Sequence, residues 1–498
     1  MFGRSTGSPL RPNLNATIAR LQASVEESKG RAVTPHRRVW SESITMKQRI
    51  IIKNFGPIEN AELDIKDYTI LIGPNASGKS TIAKLVWFFQ SSITVESIDR
   101  IRKHGTYEIN VHDLKESFTS QFQRSWDKGL WDIRALQEDF EVKYYQEFYE
   151  PEPEHAITLK KDNGKLDVIL TDGYLQYIRD TLMKTAGVYK YSSDLEELQS
   201  HTIQQLSPLD ERLPFLSTKE EPKKRRAIFI PAGRQILSLP TDSFPLFKEG
   251  RIEPLVEEFM KLVKRQEGNF HQSIQDEFNK LEQSELKQEP EDTNWGLLEN
   301  LKMAIRFSDT ILKGKYINTR EGERIYFNEK QFVKLYEASS GQQESLWIVN
   351  LIYLLLWETC SSFTYSTFTI IEEPEAHLYP ETQKAITELI SLLANWQNQV
   401  MLTTHSPYIL SALNNLLYAH KVGNANDKAK WKEMNEIIPE PLWVDIDRVA
   451  AYLIRDTRTI ENIIDHELGI IIAEEIDSAS RIILDKFDQI LKLENELT

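Results

Sequence analysis

The sequence predicts an α/β fold in which helices flank a sheet, and three observations carry that prediction. Residues 68–72 (YTILI) have the composition of a buried strand, and they run into a glycine-rich loop followed by an apolar helix. Residues 368–371 and 400–403 are two further apolar segments of strand length, and polar or charged residues follow each of them directly. A strand, a glycine-rich loop and a helix in that order are typical of folds that bind phosphate groups.

The glycine-rich loop fits the pattern G-x-x-x-x-G-K-[ST]. The predicted phosphate-binding residues are Gly73, Pro74, Asn75, Ala76, Ser77, Gly78, Lys79, Ser80 and Thr81. Gly73 and Gly78 let backbone N–H groups turn inward around a polyphosphate, and the N-terminus of the following helix adds partial positive charge. Lys79 can reach the β- and γ-phosphates, and the Ser80 hydroxyl can coordinate Mg²⁺. The loop therefore predicts binding of a nucleoside triphosphate.

Composition and charge narrow the classes of function. The chain has 498 residues, of which 40% are hydrophobic, so it can bury a substantial core. Its formal net charge of −15 excludes a surface coated uniformly for nucleic-acid binding, although a local basic groove stays open. The single cysteine, Cys360, excludes an internal disulfide and a cysteine-built metal site. No apolar stretch reaches the ~18–20 residues needed to cross a bilayer. We therefore expect a cytoplasmic protein without a membrane partner.

Shifts in composition suggest a nucleotide-binding core interrupted by insertions. The expected parts are a disordered leader at 1–45, an N-terminal lobe with the phosphate loop at 46–90, an insertion at 91–225, a core strand at 226–235, a helical arm at 236–330, a C-terminal lobe at 331–420, and strands with a helix at 421–498. The Arg-rich start leaves an organelle transit peptide as the alternative to a disordered leader, and Met46 is a candidate natural start.

Local patterns assign several elements within these parts. Two strands are expected within residues 50–65, and a hairpin is expected at 157–170 around Asp162-Asn-Gly164. The remaining expectations are helices at 108–122, 131–149, 253–286 and 468–493, and strands at 300–325, 448–455 and 459–464.

A second glycine-containing motif precedes the apolar helix at 346–357. Its predicted nucleotide-contacting residues are Ser339, Ser340, Gly341 and Gln342. Small residues at the start of a helix expose backbone N–H groups and a hydroxyl, which can bind an anion. The alternative is a plain N-cap formed by Ser339 or Ser340.

Acidic residues and a histidine follow the two later strands. Glu372 directly follows the apolar segment 368–371. It is a predicted Mg²⁺ ligand that would act through a water molecule beside the phosphate loop. Glu373 is the predicted general base that orients and deprotonates the attacking water. His405 follows residues 400–403 and is predicted to contact the γ-phosphate, although a lone histidine is more often structural.

The order of these motifs resembles the ABC-type ATPase superfamily, in its SMC/RecF-like branch. The matching segments are IIIKNFGPIENAELDI, GPNASGKST, IFIPAGR, SSGQQE, IIEEPEAHLYP and TTHSP. Stand-alone relatives of the overcoming-lysogenization-defect (OLD) ATPases, such as ATPase subunits of Septu, PARIS and retron anti-phage systems, are the most similar group. The resemblance implies a P-loop NTPase fold of ABC-ATPase type, with a mixed sheet flanked by helices and a large insertion of helices and a hairpin. It also implies an ATPase that uses ATP and Mg²⁺ and forms a head-to-tail dimer with two ATPs at its interface. Ser340 and Glu372 stand where many members have Gly and Asp. Both departures are compatible with the OLD-like branch, and they lead us to expect slow hydrolysis.

Two functions follow from this resemblance. The leading one is a nucleotide-switched ATPase that senses DNA or an invader and controls a separately encoded effector, most simply a nuclease. The alternative is a RecF-like DNA-binding ATPase of DNA repair. The long insertions argue against a third possibility, the ATPase of a membrane transporter. The Asp445-x-Asp447 pair precedes a strand and has no evident upstream partner, so we expect no built-in nuclease.

Two smaller assignments stay open. The glutamine loop of the superfamily has three candidate residues in this sequence, which are Gln90, Gln121 and Gln123. Aromatic residues in the first insertion are either docking sites for a partner or members of its own core; they are Trp126, Trp131, Tyr144, Tyr145 and Phe148.

Overall fold

The structure is a computed structural model. It describes residues 48–104, 111–127, 139–147, 155–176, 178, 225–239, 252–285, 295–361, 366–396, 398–424, 428–455, 460–472 and 485–486. The expected leader at 1–45 lies outside the described residues, as does most of the helix expected at 468–493.

A six-stranded sheet forms the centre of the fold. In spatial order its strands are β14 (Ile460–Asn462), β13 (Val449–Ile454), β3 (Tyr68–Ile72), β12 (Gln399–Thr404), β11 (Ser366–Glu372) and β7 (Arg225–Ile230). All neighbours pair in parallel except β14 with β13. β3, β12 and β13 are buried along their whole length, as expected for parallel strands covered on both faces.

An antiparallel sheet of five strands forms a second layer. Its order is β2 (Ile58–Ile65), β1 (Gln48–Phe55), β4 (Phe140–Glu147), β5 (His155–Asp162) and β6 (Lys165–Leu170). The predicted strands within residues 50–65 are confirmed, and so is the hairpin around Asp162-Asn-Gly164. Residues 140–147 form a strand that pairs with β1, so the helix prediction for 131–149 is wrong there. Strands from the expected insertion at 91–225 thus extend the sheet that β1 and β2 begin.

The described helices pack against the two sheets and against one another. They are α1 (Lys79–His104), α2 (Val111–Asp127), α3 (Pro254–Gln266), α4 (Ile274–Glu285), α5 (Trp295–Leu312), α6 (Ser340–Ser361), α7 (Pro380–Asn395), α8 (Pro407–Gly423) and α9 (Lys428–Ile437). Ile70 and Leu71, successive residues of β3, point into two different hydrophobic clusters. One cluster joins the sheet to helices α3 to α8, and the other fills the space between the two sheets with α1 and α2. The helices expected as an arm therefore bury their apolar faces against the nucleotide-binding core.

Two small sheets complete the described fold. β8 (Lys315–Thr319), β9 (Gly322–Tyr326) and β10 (Phe332–Lys334) form a meander that leads into α6. β15 (Ile464–Asp465) pairs with β16 (Ile470–Ile471). Residues 295–312 are helical, so the prediction of strands across 300–325 is correct only for its second half.

The aromatic residues of the first insertion belong to the core where the structure describes them. Tyr144 is fully buried and stacks on Phe89 with ring centroids 5.0 Å apart, and Tyr145 is also buried. The docking hypothesis is therefore wrong for these two residues. The side chains of Trp126, Trp131 and Phe148 lie outside the described part of the chain. Among the described helices, none is long and apolar enough to cross a membrane.

Candidate nucleotide-binding and catalytic site

Three adjacent parallel strands bring the predicted site residues to one edge of the central sheet. The phosphate loop follows β3, His405 follows β12, and the acids Glu372 and Glu373 lie at the end of β11. The register pairs Ile72 with Thr404 and Glu372 with Thr403, so all three strands end at the same level. The carboxyl edge of a parallel sheet is where ligands bind in open α/β folds. The phosphate loop and the two later motifs, which are far apart in sequence, therefore meet in one site.

The phosphate loop needs glycine at both of its glycine positions. Gly73 has φ 156°, and a Cβ there would come within 2.2 Å of the Ile454 carbonyl oxygen at the end of β13. Gly78 has φ 104° and lies against the side chains of Pro57 and Ile58 in the turn between β1 and β2. The loop is thus held between the two sheets, and its backbone is free to turn N–H groups inward.

Lys79 lies inside the loop that it is predicted to serve. Its Nζ donates to the carbonyl oxygens of Gly73 at 2.8 Å and Pro74 at 2.7 Å. Burial lowers the pKa of Lys79, and the nearby carboxylates of Glu373, Glu375 and Glu372 oppose that shift. Partial burial leaves this ammonium poorly hydrated. A phosphate, which is a stronger anionic acceptor, can therefore replace the two loop carbonyl oxygens as its hydrogen-bond partner.

Glu372 is buried beside the first turn of α1. Its Oε2 accepts a hydrogen bond from the Ala232 N–H at 3.2 Å, whereas its buried Oε1 has no hydrogen-bond partner within the described residues. Burial raises the pKa of Glu372, while the neighbouring Ser80 hydroxyl and Lys84 ammonium lower it. A serine hydroxyl next to a carboxylate oxygen that lacks a partner is a donor set that suits Mg²⁺, which takes one or two protein oxygens together with phosphates and waters.

Glu373 and His405 form a hydrogen-bonded pair across the strand ends. His405 Nε2 lies 2.8 Å from Glu373 Oε1, and its Nδ1 lies 3.4 Å from the Gly73 carbonyl oxygen. Because both ring nitrogens face acceptors, the geometry favours the imidazolium, which donates from both positions. The hydrogen bond raises the pKa of His405 and lowers the pKa of Glu373. Glu373 also has φ 44°, a left-handed conformation that turns its side chain out of the strand line.

A third acid, Glu375, accepts a hydrogen bond from the backbone of His405. Its Oε1 accepts from the Thr404 hydroxyl at 2.7 Å and from the His405 backbone N–H at 2.8 Å. The motif Glu372-Glu373-Pro-Glu375 contains this acid, but sequence reasoning assigned roles only to its first two carboxylates. The sequence feature that could have indicated this role is the presence of a third acid only two residues after Glu373. Glu375 fixes the backbone from which His405 reaches Glu373.

Arg234 is the second residue whose role sequence reasoning missed. It follows β7 in the segment IFIPAGR, and its side chain is fully buried. Its guanidinium donates to four backbone carbonyl oxygens, which are those of Pro231 at 2.6 Å, Glu372 at 2.7 Å, Glu344 at 2.8 Å and Glu373 at 3.0 Å. Its Nε also lies 3.3 Å from the Glu344 carboxylate. One side chain therefore fastens the end of β7 and the start of α6 to the backbone of both acids.

The motif at residues 339–342 forms an N-cap and stays exposed. The Ser339 hydroxyl accepts from the Gln342 N–H at 3.4 Å, and Gln342 Oε1 accepts from the Ser339 N–H at 3.2 Å. This reciprocal arrangement is a capping box for α6. The plain N-cap interpretation is thus correct for Ser339, while Ser339 and Ser340 remain accessible to a ligand. Neither serine bonds to the phosphate loop of its own chain within the described residues.

A model of the AAA ATPase domain family matches residues 46–410, which include the phosphate loop, the strand-end acids and His405. The chain belongs to this family. The predicted P-loop NTPase fold is thereby confirmed, with a mixed α/β architecture of sheets flanked by helices. An ATPase domain implies nucleotide binding and ATP hydrolysis in general.

Solved structures give a weaker likeness. One is an SmcHead bound to the C-winged helix domain of ScpA, with 13% identity and a TM-score of 0.31, covering 74% of this chain and 91% of that one. Another is an SMC head domain from Thermotoga maritima, with 12% identity and a TM-score of 0.30, covering 74% of this chain and 92% of that one. No curated protein matches this sequence significantly. These structural likenesses are too low to support conclusions about function.

The remaining candidates from the sequence, three glutamines and the Asp445–Asp447 pair, have other contacts and positions. Gln90 donates to the Tyr144 hydroxyl at 2.5 Å in the core between the sheets, and Gln121 and Gln123 lie on α2. Asp445 accepts from the Asp447 N–H at 3.0 Å in a turn before β13. Within the described ranges, no group of three or more His, Cys, Asp and Glu side chains is arranged to hold a metal ion.

The Glu373–His405 pair predicts a raised histidine pKa that depends on the carboxylate. Glu373→Gln removes the negative charge, so the pKa of His405 should fall towards the ordinary value of about 6.5. Because the folded-state pKa is raised, the pair stabilises the fold below the unfolded pKa of histidine, and this contribution is lost as pH rises through the folded pKa.

The measurement is an NMR titration of the His405 ring, assigned by comparison with His405→Gln. Glu381→Gln, at an exposed glutamate in the first turn of α7, serves as the control and should leave the His405 titration unchanged. A His405 pKa that is identical in the wild type and in Glu373→Gln would contradict the pairing.

Proposed function

We propose that this chain hydrolyses ATP at the strand-end site and that two copies assemble head to tail around two ATPs. The observation that carries the proposal is the Glu373–His405 pair, 2.8 Å apart, at the end of strands next to the phosphate loop. A carboxylate to orient water, together with an imidazolium and a phosphate-loop lysine to stabilise negative charge, can support in-line attack of water on a γ-phosphate.

The residues divide the work of hydrolysis. Lys79 and the loop N–H groups bind the β- and γ-phosphates, and Ser80 and Glu372 would hold Mg²⁺, which when bound would neutralise charge on the phosphate oxygens. The His405 imidazolium exchanges Glu373 for a γ-phosphate oxygen when ATP binds. Glu373 is then free to accept a proton from water as the water oxygen bonds to the γ-phosphorus. The bond from that phosphorus to the β,γ-bridging oxygen breaks, and its electron pair leaves with ADP.

The exposed start of α6 supports the head-to-tail assembly. Ser339, Ser340, Gly341 and Gln342 present a capped helix N-terminus that makes no hydrogen bond to the phosphate loop of the same chain within the described residues. We place this surface on the γ-phosphate bound by a second copy, where the helix N-terminus would add positive potential.

The assembled pair would act as a switch for other proteins. By resemblance to OLD-like ATPases, we propose that it senses DNA or an invader and controls a separately encoded effector, a nuclease, in bacterial anti-phage defence. Two copies joined by ATP and separated after hydrolysis give the effector two different surfaces to recognise. Isolating the chain with its bound proteins tests this role. Co-purification of a nuclease supports it, and tight DNA binding by the chain alone would favour the RecF-like repair function.

The first prediction of this proposal concerns Glu373→Gln. This substitution keeps size and removes the base, so turnover should fall by about 10²–10⁴-fold while ATP affinity is retained. Lys79→Ala is the matched variant, and it should lose ATP binding itself because the phosphate-facing ammonium is gone. ATP affinity and turnover of the purified variants are the two measurements. Turnover at the parent rate in Glu373→Gln would place the base elsewhere.

The second prediction tests the shared site. Ser339→Asp preserves the helix cap but sets a negative charge against the partner's γ-phosphate, so this homodimer should be inactive. Ser339→Asn preserves the cap without charge and is the control that should keep activity. Mixing Ser339→Asp with Lys79→Ala in equal amounts should restore about a quarter of wild-type turnover, since half of the pairs are mixed and each has one intact site. No recovery on mixing would argue against head-to-tail pairing.

A further inference from the structure

The geometry points to Arg234 as a positioning residue that couples the start of α6 to the general base. This inference rests on the proposed function, because it concerns how the surface at residues 339–344 communicates with Glu373 in the same chain. We call residues 339–344 the signature segment. Arg234 would transmit the engagement of the signature segment by the ATP of a second copy to water activation at its own strand end.

The first link runs through Glu344, the last residue of the signature segment. Its carboxylate accepts from the backbone N–H of Arg234 at 3.2 Å and from that of Gln235 at 3.4 Å. Its carbonyl oxygen accepts from Arg234 Nε at 2.8 Å. Glu344 is itself buried, so any shift of the α6 N-terminus moves Arg234 with it.

The second link runs from Arg234 to the acids. Its two terminal nitrogens donate to the carbonyl oxygens of Glu372 at 2.7 Å and Glu373 at 3.0 Å. A planar guanidinium that uses both ends in this way fixes the angle between its partners, which a flexible ammonium cannot do. Glu373 has a positive φ, so its side-chain direction depends on how this backbone is held.

A third contact joins the same two segments without Arg234. A Cβ on Gly341 would come within 2.8 Å of the His377 carbonyl oxygen, so the signature segment lies directly against the loop after Glu375. The signature segment and the loop of acids are therefore packed together at one point and bonded through Arg234 at another. Because the signature segment and the loop after Glu373 are connected at both points, we expect these two segments to move together.

A half-buried pair of similar chemistry at the opposite sheet edge provides the control. Arg448 Nε donates to Asp67 Oδ2 at 2.9 Å, and its NH2 group donates to the Ala394 carbonyl oxygen at 3.0 Å. Asp67 precedes β3 and Arg448 precedes β13, so this pair lies at the amino ends of the parallel strands. Its hydrogen bonds within the described residues go to Asp67 and Ala394, not to the signature segment or the acids.

The experiment compares Arg234→Lys, Glu344→Gln and Arg448→Lys with the wild type. ATP affinity, pairing in the presence of ATP by sedimentation, and turnover per ATP-bound, paired chain are measured separately. Arg234→Lys should keep affinity and pairing within about threefold of the wild type and lower turnover per paired chain by about 10–100-fold, as expected for a displaced catalytic group. Glu344→Gln should lower turnover in the same way but less, and Arg448→Lys should change only thermal stability.

Different outcomes separate the possible failures. If Arg234 is merely structural, Arg234→Lys loses folded protein, ATP affinity or pairing, while turnover per paired chain stays at the wild-type value; that result overturns the coupling. Should Arg234→Lys fail to fold, Glu344→Gln decides, and wild-type turnover per paired chain in that variant overturns the inference. A wild-type chain that binds ATP but neither pairs nor hydrolyses it would contradict the proposed function itself.

Discussion

The geometry of the site depends on the hydrogen bonds that the buried Arg234 side chain makes to its surroundings. Burying an unpaired guanidinium would be prohibitive, so its position requires the carbonyl oxygens and the carboxylate that surround it. Those acceptors come from the end of β7, the end of β11 and the start of α6. Burial tends to lower the pKa of Arg234, and Glu344 and the strand-end acids oppose that shift. The same contacts that compensate for burial also fix the positions of Glu372 and Glu373.

The charges of Glu373 and His405, the proposed catalytic pair, depend on each other. Glu373 is ionised more readily because His405 donates to it, and His405 is protonated more readily because Glu373 accepts. The pair is therefore most stable when nothing competes for the imidazolium. A γ-phosphate is a more highly charged acceptor, so in the proposed mechanism its arrival frees the carboxylate to act as a base. Binding and activation are thus linked through one shared proton donor.

Local sequence patterns were sufficient to predict the phosphate loop and the strand-end acids. The loop depends on glycines and a lysine at fixed spacing, and the acids follow apolar runs directly. Pairing between distant strands was not predictable in the same way. Residues 140–147 alternate buried positions at Phe140, Val142 and Tyr144, but charged residues between them gave the segment a helical appearance. Its pairing with β1, nearly 90 residues earlier, is what makes it a strand.

The role of Arg234 could not be predicted for a related reason. An arginine in IFIPAGR has one local acceptor, the Pro231 carbonyl oxygen, whereas its other acceptors lie more than 100 residues away in two different segments. Glu375 was hidden because its partner, the backbone of His405, comes from the neighbouring strand. Short motifs predict which chemical groups are present, whereas the fold determines which of them hold the others in place.

The central claim is that one chain's signature segment completes the site that another chain's Glu373 and His405 serve. The most direct measurement is an experimental structure of Glu373→Gln with ATP and Mg²⁺. The account predicts two copies in which Ser339 of each lies within hydrogen-bond distance of the γ-phosphate on the other's Lys79, with His405 turned from residue 373 to that phosphate and the Arg234 contacts intact. ATP bound by a chain whose signature segment faces solvent, or a His405 that makes no contact with the γ-phosphate, would contradict it.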